Sequence, residues 1–171
     1  AREYYVNDAG RQIDLLLVSV LLCHLGKNKH IFVDEKTNDD GHLVTYKGNY
    51  VNDVAISLSH NLEKIDKDSV LNLLDEPIDS LISFLKNHKS YSQIRNALVN
   101  VIIDKYIKED LSAVGINFDS WFRESQLYET GLLDEVLLNI KNKNLSYRKD
   151  GALWFKTVSY THLRAHETPV N

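Results

Sequence analysis

The opening run Glu3-Tyr4-Tyr5-Val6-Asn7-Asp8-Ala9-Gly10-Arg11-Gln12 constrains this chain more than any other stretch, because it joins an extended pattern to a helical one through a polar corner. Arg2 to Val6 is rich in aromatic and β-branched residues and fits a strand, whereas from Ile13 the apolar positions Ile13, Leu16, Leu17, Val20 and Leu21 recur at helical spacing. In an open α/β sheet, ligands bind outside the carboxyl ends of strands, where side chains and free helix amides converge. Asn7, Asp8, Arg11 and Gln12 are the groups this corner offers, and Gly10 lets the backbone turn with no Cβ in the way. The plainer alternative is that Asn7 or Asp8 only caps the helix, accepting its first backbone N–H groups.

With 171 residues, 43% of them hydrophobic and 26% charged, the chain can bury one sizeable core and is not of disordered composition. A net charge of −4 gives no overall attraction for nucleic acid, so any RNA contact must come from a local basic patch, and nothing suggests a DNA ligand. The lone Cys23 sits in an apolar helical run, which fits a buried thiol in a reducing compartment such as the cytoplasm. Leu15 to Leu22, interrupted by Ser19, is far shorter than the roughly 20 residues of a membrane span.

Along the chain, the first helix should run from about Gly10 to Leu25 and be covered all round, with Gly26 ending it. Lys27 to Gly48 is polar, with Asp39-Asp40-Gly41 as its turn signal. Asn49 to Leu62 places Val51, Val54, Ala55, Leu58 and Leu62 on one stripe, Asp68 to Asp75 makes a short helix, and Pro77 starts a helix carrying Ile78, Leu81, Ile82 and Leu85 inward. Ser90 or Ser92 should cap the longest helix, running to about Ala113 with Ile94, Ala97, Leu98, Val101 and Ile102 facing inward. Ile116 to Phe122 alternates like a strand. Gly131 to Lys143 repeats as a helix with Leu133, Val136, Leu137 and Ile140 on its buried face, and Asp150-Gly151 signals a tight hairpin over Leu145 to Phe155. The helical stretch Asn49 to Ala113 also suits a partner-binding module.

Most candidate sites fail on their own chemistry. His162 and His166 share a helical spacing but lack a third metal ligand and an apolar face to hold a helix. Asp34 to Lys47 looks like a calcium loop until Gly41 is aligned, which puts Lys36 and Lys47 where carboxylates belong. No phosphate-loop or serine-hydrolase pattern occurs, and His24, His60 and His88 read as surface or boundary residues beside helices. No metal site is expected. Lys141, Lys143, Arg148 and Lys149, with Tyr147 and Trp154 nearby, could meet a phosphate backbone, although such a charge run is more often a solvated face. Trp121 and Trp154 read first as core anchors.

The opening words Tyr4-Tyr5-Val6-Asn7-Asp8-Ala9-Gly10-Arg11-Gln12-Ile13-Asp14 resemble the segment after the ATP-binding signature of bacterial arginyl-tRNA synthetases. Asp110-Leu111 through Gly115 to Ser125 resembles a later block of that family, and Tyr147 to Thr157 the block after it, in family order over Arg2 to Thr157. The resemblance implies a class I α/β fold: an internal piece of a Rossmann-like catalytic domain at residues 1–25 and 115–157, interrupted by a loop and mainly helical insertion at 26–114. It implies an enzyme that activates arginine with ATP and Mg2+ and transfers it to tRNA(Arg), with the nucleotide-holding signatures and other catalytic groups lying outside these residues. On the resemblance, Asn7, Asp8 and Gln12 stand nearest the arginine, with Asp8 apt to pair a cation. Tyr4 is placed with them on the arginine side of the pocket, and it departs from other branches of the family, which carry there an Asn that helps hold the amino acid. The isolated chain is expected to be inactive. Val158 to Asn171 resembles a translated sequencing adapter and is expected to be no evolved part of the protein. Another class I synthetase and a non-catalytic helical interaction module remain the alternatives.

Overall fold

Helix α1 (Arg11–His24) is the axis of the first of two compact units, Ala9–Asn117. The computed structural model describes residues 2–30, 32 and 45–156, and the backbone of 163–164. The expected turn at Asp39-Asp40-Gly41, most of the rejected calcium loop, and His162 and His166 lie outside the described residues. Leu16, Leu17, Val18, Val20, Leu21 and Leu22 of α1 are all buried, so the all-round apolar pattern is matched by all-round cover. The helix stops at a left-handed Gly26 (φ 68°), where Gly26 N–H donates to Cys23 O and Lys27 N–H to Leu22 O, closing a Schellman motif.

Around α1 pack α2 (Asn49–Ser57), α3 (Ser59–Leu62), α5 (Ile78–Asn87) and α6 (Tyr91–Val101), after the short α4 (Lys67–Asn72). The stretch expected as one helix to Leu62 is two, because Leu58 (φ −102°, ψ 7°) leaves the helical region while keeping its side chain in the core. Asp66 caps α4 by accepting from Ser69 N–H at 2.8 Å, and hydrogen bonding from the Ser69 side chain first and its N–H second holds the carboxyl below the usual range. Of the two serines expected to cap the long helix, Ser90 stands at its N-cap position, but neither makes a side-chain capping bond. Ser90 precedes it without a side-chain bond, its N–H donating to His88 Nδ1, and Ser92 lies within the helix. From α6 the chain continues through a π-helical segment, Ile102–Ile107, into α7 (Lys108–Ala113).

The second unit combines Ala1–Asp8 with Phe118–Asn171. Strand β1 (Glu3–Val6) pairs in parallel with β2 (Ser120–Arg123), Glu3 opposite Ser120 and Val6 opposite Arg123. The alternating stretch begins pairing only at Ser120, later than its pattern suggests, because Gly115 and Ile116 still close the end of α7 on Ser112 O and Leu111 O. Helices α8 (Ser125–Glu129) and α9 (Leu132–Asn142) follow. No residue of α9 is fully buried: of its expected inward face Leu133, Leu137 and Ile140 are half-buried and Val136 is 44% exposed, so the apolar stripe is only partly covered among the described residues, a correction to the expected core face. Strand β3 (Ser146–Lys149) and strand β4 (Ala152–Phe155) form the expected hairpin, with Asp150 and Gly151 both at positive φ (52° and 78°) as a type I′ turn requires. Backbone pairing continues to β5 (Leu163–Arg164) within the tail. No helix among the described residues is long and apolar enough to cross a membrane.

Candidate functional site

The carboxyl end of β1 is built by local hydrogen bonding. Asp8 N–H donates to Val6 O at 3.0 Å, a tight γ-like turn that puts Asn7 at its exposed tip. The same Val6 carbonyl accepts from Glu124 N–H at 2.9 Å, extending the parallel register past the strand end. Asp8 is 1% exposed, and both of its carboxylate oxygens are engaged: Oδ1 accepts from Ser125 N–H and Oδ2 from Ser125 Oγ–H, each at 2.8 Å. A buried carboxylate needs such charge-assisted donors. Asp8 therefore holds the first amide of α8, and it caps this helix instead of the helix that follows it in sequence, whose N-cap position is Gly10 with no side-chain bond. At the other end of β1, Arg2 N–H donates to Asp119 Oδ2 and Asp119 N–H to Arg2 O, both at 2.8 Å. Two sequence blocks about 117 residues apart are thus stitched together at both ends.

Aromatic rings fix the faces of this pair. Tyr4 packs against Trp121 (4.7 Å between centroids) and Phe118 (5.1 Å), which accounts for Tyr4 and Trp121 as packing residues, while Tyr5 stacks on Phe122 at 6.1 Å. The Tyr5 hydroxyl is held above its ordinary value by partial burial, then by the nearby Glu124, Tyr128 and Asp8.

In the helical unit, Gln12 is exposed in the first turn of α1, and Arg11 pairs with Asp79 of α5. Asp14, missed in the sequence reading, is buried between three helices: Lys86 Nζ of α5 lies 2.9 Å from Oδ2, and the Tyr91 hydroxyl of α6 donates to Oδ1. Burial first, then the bond to Asp14, pushes the Tyr91 hydroxyl far up. The signal was present, since an acid inside an otherwise apolar helix must have partners. Cys23 is half-buried on a cleft of about 350 Å3 shared with Ser19, Lys29, Lys47 and Asn52, and burial raises its thiol, so it is not the buried thiol expected and not a thiolate either. Of the histidines, His60 is exposed and His24 and His88 are half-buried. Among the described residues no three His, Cys, Asp or Glu side chains are placed to hold a metal.

No family model matches the chain. Arginine–tRNA ligases do: one from Vesicomyosocius okutanii is 34% identical over 92% of this chain, and one from Aquifex aeolicus 36% identical over 91%. The chain matches one segment of the arginine–tRNA ligase family. It spans 28% and 29% of the length of those two relatives. A crystal structure described as an arginyl tRNA synthetase from Campylobacter jejuni superposes with a TM-score of 0.52 at 25% identity, covering 95% of this chain and 30% of that one. Two of the three blocks that carried the ligase resemblance in sequence are joined by Asp8 and Ser125. Of the proposed site residues, Tyr4, Asn7 and Asp8 belong to the sheet unit and Gln12 to the helical unit.

Proposed function

We propose that this chain is the corresponding segment of an enzyme that joins arginine to tRNA(Arg), acting in the cytoplasm. The observation that carries this reading is 34–36% identity to arginine–tRNA ligases across more than nine-tenths of the chain. On this reading β1 and β2 are neighbouring strands of a Rossmann-like class I sheet, residues 1–25 and 115–157 contribute to the catalytic domain, and 26–114 form its insertion. The reaction is in-line attack of the arginine carboxylate on the α-phosphate of ATP, followed by transfer of the arginyl group to tRNA. Mg2+ enters with the ATP phosphates as part of the substrate.

Within that reaction these residues position rather than transform. Asn7 and Gln12, both exposed, offer amide groups that can donate to the amino acid's carboxylate or accept from its ammonium and guanidinium groups. Asp8, with both oxygens held by Ser125, keeps the end of β1 in place. Tyr4 serves as a wall braced by Trp121.

The isolated chain is expected to show no arginine-dependent ATP–pyrophosphate exchange. The positive test replaces the aligned segment of the Aquifex aeolicus relative with residues 1–157 of this chain and measures arginylation of tRNA(Arg). A chimaera that folds and charges arginine supports the proposal; one that folds, binds ATP and charges nothing overturns it.

A further inference from the structure

Residues 139–156 hold five cations, Lys141, Lys143, Arg148, Lys149 and Lys156, against the single acid Asp150, in a chain whose net charge is −4. All five are exposed. Among the described residues the ion pairs Arg11–Asp79, Lys86–Asp14 and Lys108–Asp104 all lie in the helical unit, and the hairpin cations form none. One of the five has a local structural partner, Lys156 Nζ donating to Asn144 O at 2.9 Å, and Lys141 lies in the last turn of α9, where a cation offsets the helix dipole. Lys143, the C-cap residue of α9, shares that role, which leaves Arg148 and Lys149 without a structural account among the described residues.

The hairpin geometry sorts these charges. Tyr147 opposes Trp154 and Lys149 opposes Ala152, so one face carries Tyr147, Trp154 and Lys149; Arg148 and Leu153 share the other. The two rings stack at 6.4 Å with 15° between their planes, and the Trp154 indole N–H is tied to Lys149 O at 3.1 Å. Arg148 and Lys141 line a groove of about 510 Å3 between α9 and the hairpin, with Leu137, Leu138 and Leu153 as its apolar wall and Asp134 as its one acidic group. Exposed cations on both faces of the hairpin and at the end of α9, with the stacked Tyr147–Trp154 pair among them, suit a strand of nucleic acid, phosphates meeting Lys and Arg while bases lie against apolar and aromatic surface.

We propose that the α9–hairpin surface is an RNA-contact surface for a single-stranded segment of the tRNA substrate, with Lys141, Lys143, Arg148 and Lys149 holding phosphates. This rests on the reading of the parent enzyme as a tRNA ligase, and names where this chain touches that substrate. An acidic peptide would satisfy the charges but makes no use of a fixed stacked ring pair.

The test titrates the 171-residue chain against a fluorescein-labelled single-stranded 12-nucleotide RNA by anisotropy, over a range of salt. Binding should weaken with salt with a log–log slope of about −3, as about four phosphate contacts on a single strand require. The variant K141A/R148A/K149A should bind at least about tenfold more weakly with a slope shallower by about 2, while K27A/K67A/K89A in the helical unit binds as the parent does. The single variant Lys149→Gln should weaken binding about threefold with an unchanged circular dichroism spectrum. Absence of RNA binding at low salt, or equal loss in the two triple variants, overturns the proposal. Arginylation by the chimaera separates the two claims: an active chimaera with hairpin variants that bind RNA normally removes this surface alone, and an inactive folded chimaera with hairpin-dependent RNA binding removes the ligase reading alone.

Discussion

The helical unit and the sheet unit use similar apolar content to opposite effect. Nearly every fully buried apolar side chain belongs to the helices: Leu17, Val18, Val20, Leu21, Val54, Leu62, Val70, Leu81, Ile94 and Leu98 form one continuous core around α1. In the sheet unit the buried apolar residues among those described are Val6 and Ala152, and the stripe of α9 is at most half-buried. Parallel strands ordinarily occur with both faces covered, yet Tyr5 on β1 is 51% exposed. A helical bundle closes its core locally, whereas a two-stranded parallel sheet must borrow cover from other elements. The relatives, more than three times as long as the matched segment, contain more chain than this one spans.

Truncations break the comparison most sharply. Leu98→Ala or Leu81→Ala should cost about 2–5 kcal/mol in urea unfolding, because each leaves a cavity in a closed core, and Val136→Ala on α9 should cost less than about 0.5 kcal/mol. Equal costs at these positions would erase the distinction. Next is Asp14→Ala, expected to cost about 2 kcal/mol by leaving the Tyr91 hydroxyl without its acceptor and Lys86 without its partner, read in the same unfolding curve. Asp8→Ala should act within the sheet unit alone: losing both Ser125 bonds frees the start of α8 by about 1–2 kcal/mol, seen as faster tryptic cleavage after Arg123 with helical sites unchanged. The smallest effect belongs to Asp66. Its folded carboxyl lies below the ordinary carboxylate value, so the stabilisation is present above that ordinary value and is lost as pH falls through the lower folded one. Asp66→Asn should therefore lower the thermal midpoint at pH 7 and converge with the parent as pH falls through that lowered value, a difference that thermal melts across pH would show.

Local chemistry was legible where one residue type dictates one geometry. Asp150-Gly151 announced a hairpin because two successive positive φ angles admit few other residues, and Gly26 announced a helix end for the same reason. Asn144, also left-handed (φ 55°), ends α9 in the same way and gave a weaker signal because Asn has many other uses. Periodicity identified the apolar face of α9 but not its exposure, since spacing records which side is apolar and says nothing of whether a partner is present. The long-range bonds were the least legible. Asp8 was read as a cap or a substrate group from its neighbours in sequence, while its donor, Ser125, stood in a separate block whose pairing only the parallel register reveals. The clamp of Asp14 by Lys86 and Tyr91 was hidden for the same reason, its partners lying on helices read separately.

Amide hydrogen exchange on the intact 171-residue chain tests the contrast between the two regions most directly. The slowest amides should fall in Leu16 to Leu22 and in the inward positions of α5 and α6, exchanging through global unfolding, while those of Leu132 to Asn142 exchange orders of magnitude faster through local opening. Protection of α9 equal to that of α1 would contradict the account.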